Sequence, residues 1–311
     1  MLSGETIPFL GAGANLVERP DDVSWKDGKY LPSGRELAEE LVSLGLYPDQ
    51  DDVDLLRISQ YIATDAGRRQ LYKHLRRLFD DDYPPNVLHK LLAGLPPILR
   101  ERSVDHQLII TTNYDDALER AFDDAEEEYD AVWYDAKPGA SCGKFLHRAP
   151  DEETVAIEKP NEYQALDLAQ RTVILKLHGA IDRQDPTGDS YVITQNNYVD
   201  YLARADVSGR LPSVLAAKMP DCHFLFLGYS MQDWNLRVVL NRVWREQNGM
   251  SMNSWAVQKE HERPEQNEVE EKLWEDLGED VRVFLFQVPL KEYVSNLWPH
   301  LFGGVLAGAG T

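Results

Sequence analysis

Cysteine is nearly absent: Cys142 and Cys222 are the only two in 311 residues. Two distant thiols form neither a disulfide framework nor a four-cysteine zinc site, so a secreted, disulfide-stapled fold and a zinc ribbon are both excluded. Basic residues are scarce as well. Against 32 Lys and Arg stand 53 Asp and Glu, a formal net charge of −21. That balance disfavours non-specific binding to nucleic acid or to an anionic membrane, while leaving room for a basic protein partner or a locally basic groove. No apolar stretch reaches membrane-spanning length, and no charged segment followed by an apolar run opens the chain. No internal repeat is evident. The expectation is a soluble, cytoplasmic protein with no direct nucleic-acid or membrane contact.

What is present is an ordinary globular composition, 43% hydrophobic, long enough to bury a large core. Thr6–Leu10 is apolar enough for a first strand, and Gly11-Ala12-Gly13-Ala14-Asn15 follows at once. Glu18–Tyr30 is polar and reads as a loop, either a plain surface connection or a lid. Ser33 caps a helix whose Leu37, Leu41 and Leu44 share one face. Apolar spacing predicts two helices over 54–79, and another over 86–100 interrupted by Gly94 and Pro96-Pro97. His74 and His89 fall in this run, without ligand-spaced partners, as surface or packing residues. With little β signal between them, residues of about 33–104 are expected to form a helical insert between two strands.

Leu108-Ile109-Ile110 is the next buried strand, ending in Thr111-Thr112-Asn113-Tyr114-Asp115-Asp116, after which a helix opens with acids in its first turn. Ala131–Tyr134 and Phe145–His147 are short strands, and 150–167 is an irregular surface excursion. Thr172–Leu177 is the clearest strand and runs into His178-Gly179. Tyr191–Thr194 reads as a strand, followed by helices over 196–203 and 212–219. His223–Leu227 is a fully apolar strand ending in Gly228-Tyr229-Ser230, with Asp233 in the first turn of a helix through Val243. Trp255–Val257 and Val281–Phe286 are the last strands, with a helix between them. The whole is an α/β, Rossmann-like fold: a mostly parallel sheet with helices on both faces, one domain over 1–300 and a flexible tail at 301–311.

In such sheets ligands bind at the carboxyl ends of the strands. Small residues after a strand let the backbone approach a diphosphate with its N–H groups. They equally make a tight turn, and Leu16 stands where a dinucleotide fingerprint would place its third glycine. Asn113 and Asp115 suit a polar ligand, and either would also serve as a helix cap. His178 at a strand end can exchange a proton near neutral pH, or can be a structural histidine bonded to a loop. Four such strand ends on one edge make separate structural explanations less economical than a shared site.

Gly11-Ala12-Gly13, Thr112-Asn113-Tyr114-Asp115, Lys176-Leu177-His178-Gly179 and Gly228-Tyr229-Ser230 stand in the order found in sirtuin-like domains. Over Ile7–Leu240 the chain most resembles the divergent bacterial branch used in anti-phage defence, whose domain hydrolyses NAD. That resemblance implies an NAD hydrolase releasing nicotinamide and ADP-ribose, linear or cyclic, as the effector of abortive infection. It assigns His178, Asn113 and Asp115 to catalysis. Gly11, Ala12, Gly13, Asn15, Thr112, Gly228, Ser230 and Asp233 are assigned to holding NAD as substrate, with no metal. It further implies a homo-oligomer and a separate activator such as a HerA-type ATPase. Deacylating sirtuins carry four zinc cysteines and usually Gln in place of Thr112, so deacylation is the second alternative. A non-catalytic module binding NAD or ADP-ribose is the third.

Overall fold

A computed structural model describes residues 1–203, 210–229, 253–259, 264–275 and 282–303. Among them the strands are β1 Thr6–Leu10, β2 Leu108–Thr111, β3 Tyr129–Tyr134, β4 Phe145–Arg148, β5 Val155–Ala156, β6 Thr172–Lys176, β7 Gly179–Ala180, β8 Ser190–Tyr191, β9 His223–Leu227, β10 Asn253–Gln258 and β11 Arg282–Gln287. Nine of them form one sheet in the order β11-β10-β9-β1-β2-β6-β3-β4-β5. From β11 to β3 every pairing is parallel, and only β4 and β5 at one edge are antiparallel. β1, β2, β6 and most of β9, in the middle of the parallel run, are buried on both faces, and their near-continuous apolar sequences follow from that, whereas Phe284 and Phe286 of the edge strand β11 are exposed.

Alternate residues of each strand feed two cores. Ile7, Phe9, Leu108, Ile110, Val173, Leu175, Phe224 and Phe226 face one side. There they meet Tyr198 and Tyr201 of α7 (Gln195–Ala203), Leu215 of α8 (Ser213–Lys218) and Trp274 of α9 (Pro264–Glu275). Leu10, Ile109, Ile174, Leu225 and Leu227 face the other. They pack against α4 (Val87–Ala93), α5 (Leu95–Glu101), α6 (Ala117–Asp124) and α10 (Leu290–Phe302). Helices therefore cover both faces. Pro96 and Pro97 lie in the first turn of α5, where a missing N–H costs nothing.

Between β1 and β2 run five helices of two kinds. α1 (Gly34–Ser43), α2 (Leu55–Ile62) and α3 (Arg68–Phe79) build a core of their own, from Leu37, Leu41, Ile58, Ile62, Leu71 and Leu75. α4 and α5 instead join the layer on the sheet. A capping box of Ser33 with Glu36 starts α1, and one of Asn86 with His89 starts α4. α2 and α3 are joined by a π-helical turn over Ala63–Gly67 rather than by a loop.

Two expectations are corrected. Val192–Thr194 is not a strand: only Ser190–Tyr191 pairs, with Gly179–Ala180, in a separate two-stranded sheet. Tyr191 and Ile193 are buried against α1–α3, which accounts for the apolar run. The excursion after Pro150 contains the edge strand β5. α10 runs through Phe302, over the first two residues of the tail expected from 301; residues 304–311 lie outside the described residues, as do Ser230, Asp233 and the helix expected to follow them.

Candidate active site

β1 enters the sheet between β9 and β2, one reached late in the chain and the other early, so the crossover direction reverses at β1. That reversal opens a crevice at the carboxyl ends, where open α/β sheets take their ligands. The register puts Leu10 beside Leu227 and Thr111, and Thr111 beside Lys176. Gly228, Gly11, Thr112 and Leu177 therefore follow at one level on four neighbouring strands, a row roughly 14 Å wide at the usual strand spacing. The four motifs do converge on one edge.

The glycines hold this edge by mutual contact. Gly228 has φ +66°, and a Cβ there would lie 2.1 Å from the Ala14 nitrogen and 2.3 Å from the Gly13 carbonyl carbon. The Gly11 N–H donates to Leu227 O at 3.1 Å, the Gly13 N–H to Gly228 O at 2.9 Å and the Ala14 N–H to Gly11 O at 3.0 Å. The expectation that the Gly11 and Gly13 amides face a diphosphate is thus not met: they knit the β1 turn to the β9 turn. Ala12, Gly13, Thr112 and Gly228 still line the floor of a groove of about 1050 Å³. Its walls carry Arg19, Arg35, Lys259 and Lys291 against Glu18 and Asp21, a locally basic surface on an acidic protein. Arg19 is held by Glu36 at 2.9 Å and Lys259 by Asp21 at 2.8 Å. A second cleft of about 710 Å³ beside α6 is lined mainly by carboxylates, which suits no anionic ligand.

At the β2 end, the Asn113 amide N–H is capped by Thr111 Oγ1 at 3.0 Å, while its Nδ2 donates to Gly11 O at 3.1 Å. Asp115 is buried. Its Oδ1 accepts from the Ala117 N–H at 3.1 Å, meeting the first donor of α6 from one residue before the N-cap Asp116, and its Oδ2 accepts from Asn15 Nδ2 at 2.7 Å. Asn15 Oδ1 is buried with no donor among the described residues. Two separate side-chain bonds, Asn113 to the Gly11 carbonyl and Asn15 to Asp115, thus join the β1 and β2 turns. Spacing alone put Asn15 in the glycine turn; its contact with Asp115 is a tertiary fact without a local signal.

His178 is 3% exposed. Its Nδ1 lies 3.4 Å from the Tyr198 hydroxyl, and the two rings meet edge to face with centroids 5.3 Å apart. Its carbonyl accepts from the Val192 N–H at 2.8 Å, and Gly179 turns the chain at φ +89° into β7. The groove ends at Thr112, one strand short of His178, which does not line it. One feature escaped the sequence, Lys176, whose ammonium is buried beneath this edge; His89, expected as a surface or packing residue, is buried against the Asn15 side of it. Burial holds the His89 imidazole down at about 4.

A parallel sheet with its switch point at β1, the Asn15–Asp115 contact beside it and His178 two strands further along the same edge match the motif order of sirtuin-like domains. The chain belongs to the SIR2-like domain family, which matches residues 107–281. It is 26% identical over 235 residues to the NAD(+) hydrolase ThsA of Cytobacillus dafuensis, covering 75% of this chain and 37% of that protein. It is 29% identical over 235 residues to the NAD(+) hydrolase ThsA of Acinetobacter baumannii, covering 75% and 38%. The defense-associated sirtuin 2 of Bacillus subtilis is 24% identical over 243 residues, covering 78% and 19%. The chain spans between about a fifth and two fifths of the length of these curated relatives. Among the described residues no helix is long and apolar enough to cross a membrane, and no His, Cys, Asp and Glu group could hold a metal ion.

Proposed function

We propose that this chain is an NAD glycohydrolase, cleaving NAD to nicotinamide and ADP-ribose as an effector of anti-phage defence. The observation that carries the reading is the pair of bonds, Asn113 to Gly11 and Asn15 to Asp115, that tie the β1 and β2 turns next to the Thr112 end of a basic groove, on the sheet edge that also carries His178. The relatives named as NAD(+) hydrolases support the same reaction. NAD lies with its diphosphate and adenosine half in the groove, near Arg19, Arg35 and Lys259, and its nicotinamide ribose beyond Thr112. The groove's volume suits a ligand of more than drug size. Ser230 and Asp233, expected at the adenosine half, belong to this reading on the resemblance alone.

The bond from the ribose C1′ to the nicotinamide nitrogen breaks with its electron pair leaving on nitrogen, and positive charge develops on the ribose. The Asp115 carboxylate and the Asn113 amide oxygen stabilise that charge in a water-poor site. Water then attacks C1′, and His178 accepts its proton. Because His178 is buried, substrate entry requires the packing around Tyr198 to give way. A homo-oligomer and a separate activating ATPase of the HerA type belong to the same reading, and rest on the resemblance.

Mass spectrometry of nicotinamide and ADP-ribose after incubation with NAD tests the proposal. Wild type should form both, and His178→Ala and Asn113→Ala should lose at least ~100-fold in rate while staying folded. Unchanged turnover in both variants would refute the assignment.

A further inference from the structure

Lys176 is the least expected side chain on the site edge. It closes strand β6 with 1% exposure, yet it carries an ammonium group. That ammonium donates to two acceptors from one segment: the main-chain carbonyl of Asp115, and Glu119 Oε1 at 2.6 Å. Glu119 is itself buried in the first turn of α6. Burial pushes its carboxyl above the ordinary range, and the Lys176 charge works against that shift.

A buried ion pair is weak evidence for stability, since well-packed apolar residues commonly replace one at no loss. What distinguishes this pair is where it is tied. Asp115 is held from three directions: Ala117 N–H on one carboxylate oxygen, Asn15 on the other, and Lys176 on its carbonyl. The first two bonds come from the adjoining helix and the glycine turn. Only the third comes from β6, two residues before His178.

We propose that Lys176 is a positioning residue, setting the Asn113–Asp115 turn against His178 and held in place for that role by Glu119. As a role in NAD cleavage it rests on the reading given under Proposed function. The tie itself is a property of the fold.

The test uses the full chain and the paired variant Lys176→Met/Glu119→Leu, which removes both charges and leaves no unpaired one. Three quantities are read: thermal midpoint, amide hydrogen exchange over 111–119 without NAD, and steady-state NAD cleavage. The expected result is a nearly unchanged midpoint, with exchange at Asn113–Ala117 faster by roughly tenfold as the turn loosens. NAD cleavage is expected to lose ~100-fold in kcat with KM little changed, the signature of misplaced reacting groups rather than lost binding. Placed in an Asp115→Ala background, the paired change should lower kcat no further. Unchanged exchange would overturn the proposal, and so would independent, additive losses in kcat. A paired variant that fails to fold assigns the pair to stability and overturns it too. The exchange arm needs no turnover, so a wild type that leaves NAD intact refutes the enzymatic reading while the tie is still decided by exchange.

Discussion

Asn15 and Asp115 lie 100 residues apart in the chain and are joined by a hydrogen bond of 2.7 Å. A carboxylate can only accept, so the amide must turn its Nδ2 towards Asp115 and its Oδ1 away. The bond crosses from the glycine turn after β1 to the polar turn after β2, and fixes the orientation of both side chains at the site.

Asn15→Asp should therefore impair NAD cleavage in a pH-dependent way. Two carboxylates at hydrogen-bond distance cannot both be ionised comfortably, so the pair takes up a proton well above the usual carboxylate range. Below that raised value the protonated carboxyl restores a donor, and above it the two repel. The loss relative to wild type should be roughly tenfold or more greater at pH 8 than at pH 5. A pH–rate profile of both proteins measures this, and an equal loss at the two pH values would separate Asn15 from Asp115 functionally.

Gly228→Ala should destabilise the protein by roughly 3 kcal/mol or more, through left-handed backbone strain and a clash. The clash is with the backbone of Gly13 and Ala14, which has no flexible end to swing aside. Urea unfolding gives the value directly. A loss under about 1 kcal/mol would mean that the two turns separate easily.

His89 should make stability fall on acidification. Its folded value of about 4 lies below the ordinary 6.5, chiefly by burial and also through Lys176 and Lys90, against the opposing pull of Asp115. The folded protein therefore disfavours the proton that the unfolded chain accepts. Stability from this group is complete above pH 6.5 and is lost progressively down to about 4, by roughly 3 kcal/mol in all. The imidazole accepts the Asn86 N–H through Nδ1 at 3.3 Å, and Asn86 in turn donates to Ala14 O at 2.7 Å, so the loss starts at the cap beside the glycine turn. Chemical unfolding of wild type and His89→Gln across pH 4–7 checks it, since the variant should lack that part of the slope. Identical slopes would rule His89 out as the source.

The sheet edge was legible in the sequence because a buried parallel strand is a short apolar run, and its end is marked where the run stops at small or polar residues. His223–Leu227 before Gly228 and Thr172–Lys176 before His178 are such cases. Val192–Thr194 misled because burial alone produces an apolar run: Ile193 packs on the helices of the α1–α3 core without pairing. β5 escaped because two residues carry no period. The role of the glycines escaped for a different reason. Gly13 and Gly228 need each other's missing side chains across 215 residues of sequence, and nothing local to either records the contact. Lys176 likewise reads as one polar residue closing an apolar strand until Glu119 is seen opposite it.

The central place of β1 also bears on how the protein is made. Of the described strands Thr6–Leu10 is made before the others, but its full-length neighbour is His223–Leu227, paired with it residue for residue. β2 covers only the last part of β1, through Phe9 and Leu10. One wall of the crevice is therefore missing from every nascent chain that stops short of Leu227. The order of synthesis keeps the crevice from existing until β9 has been made.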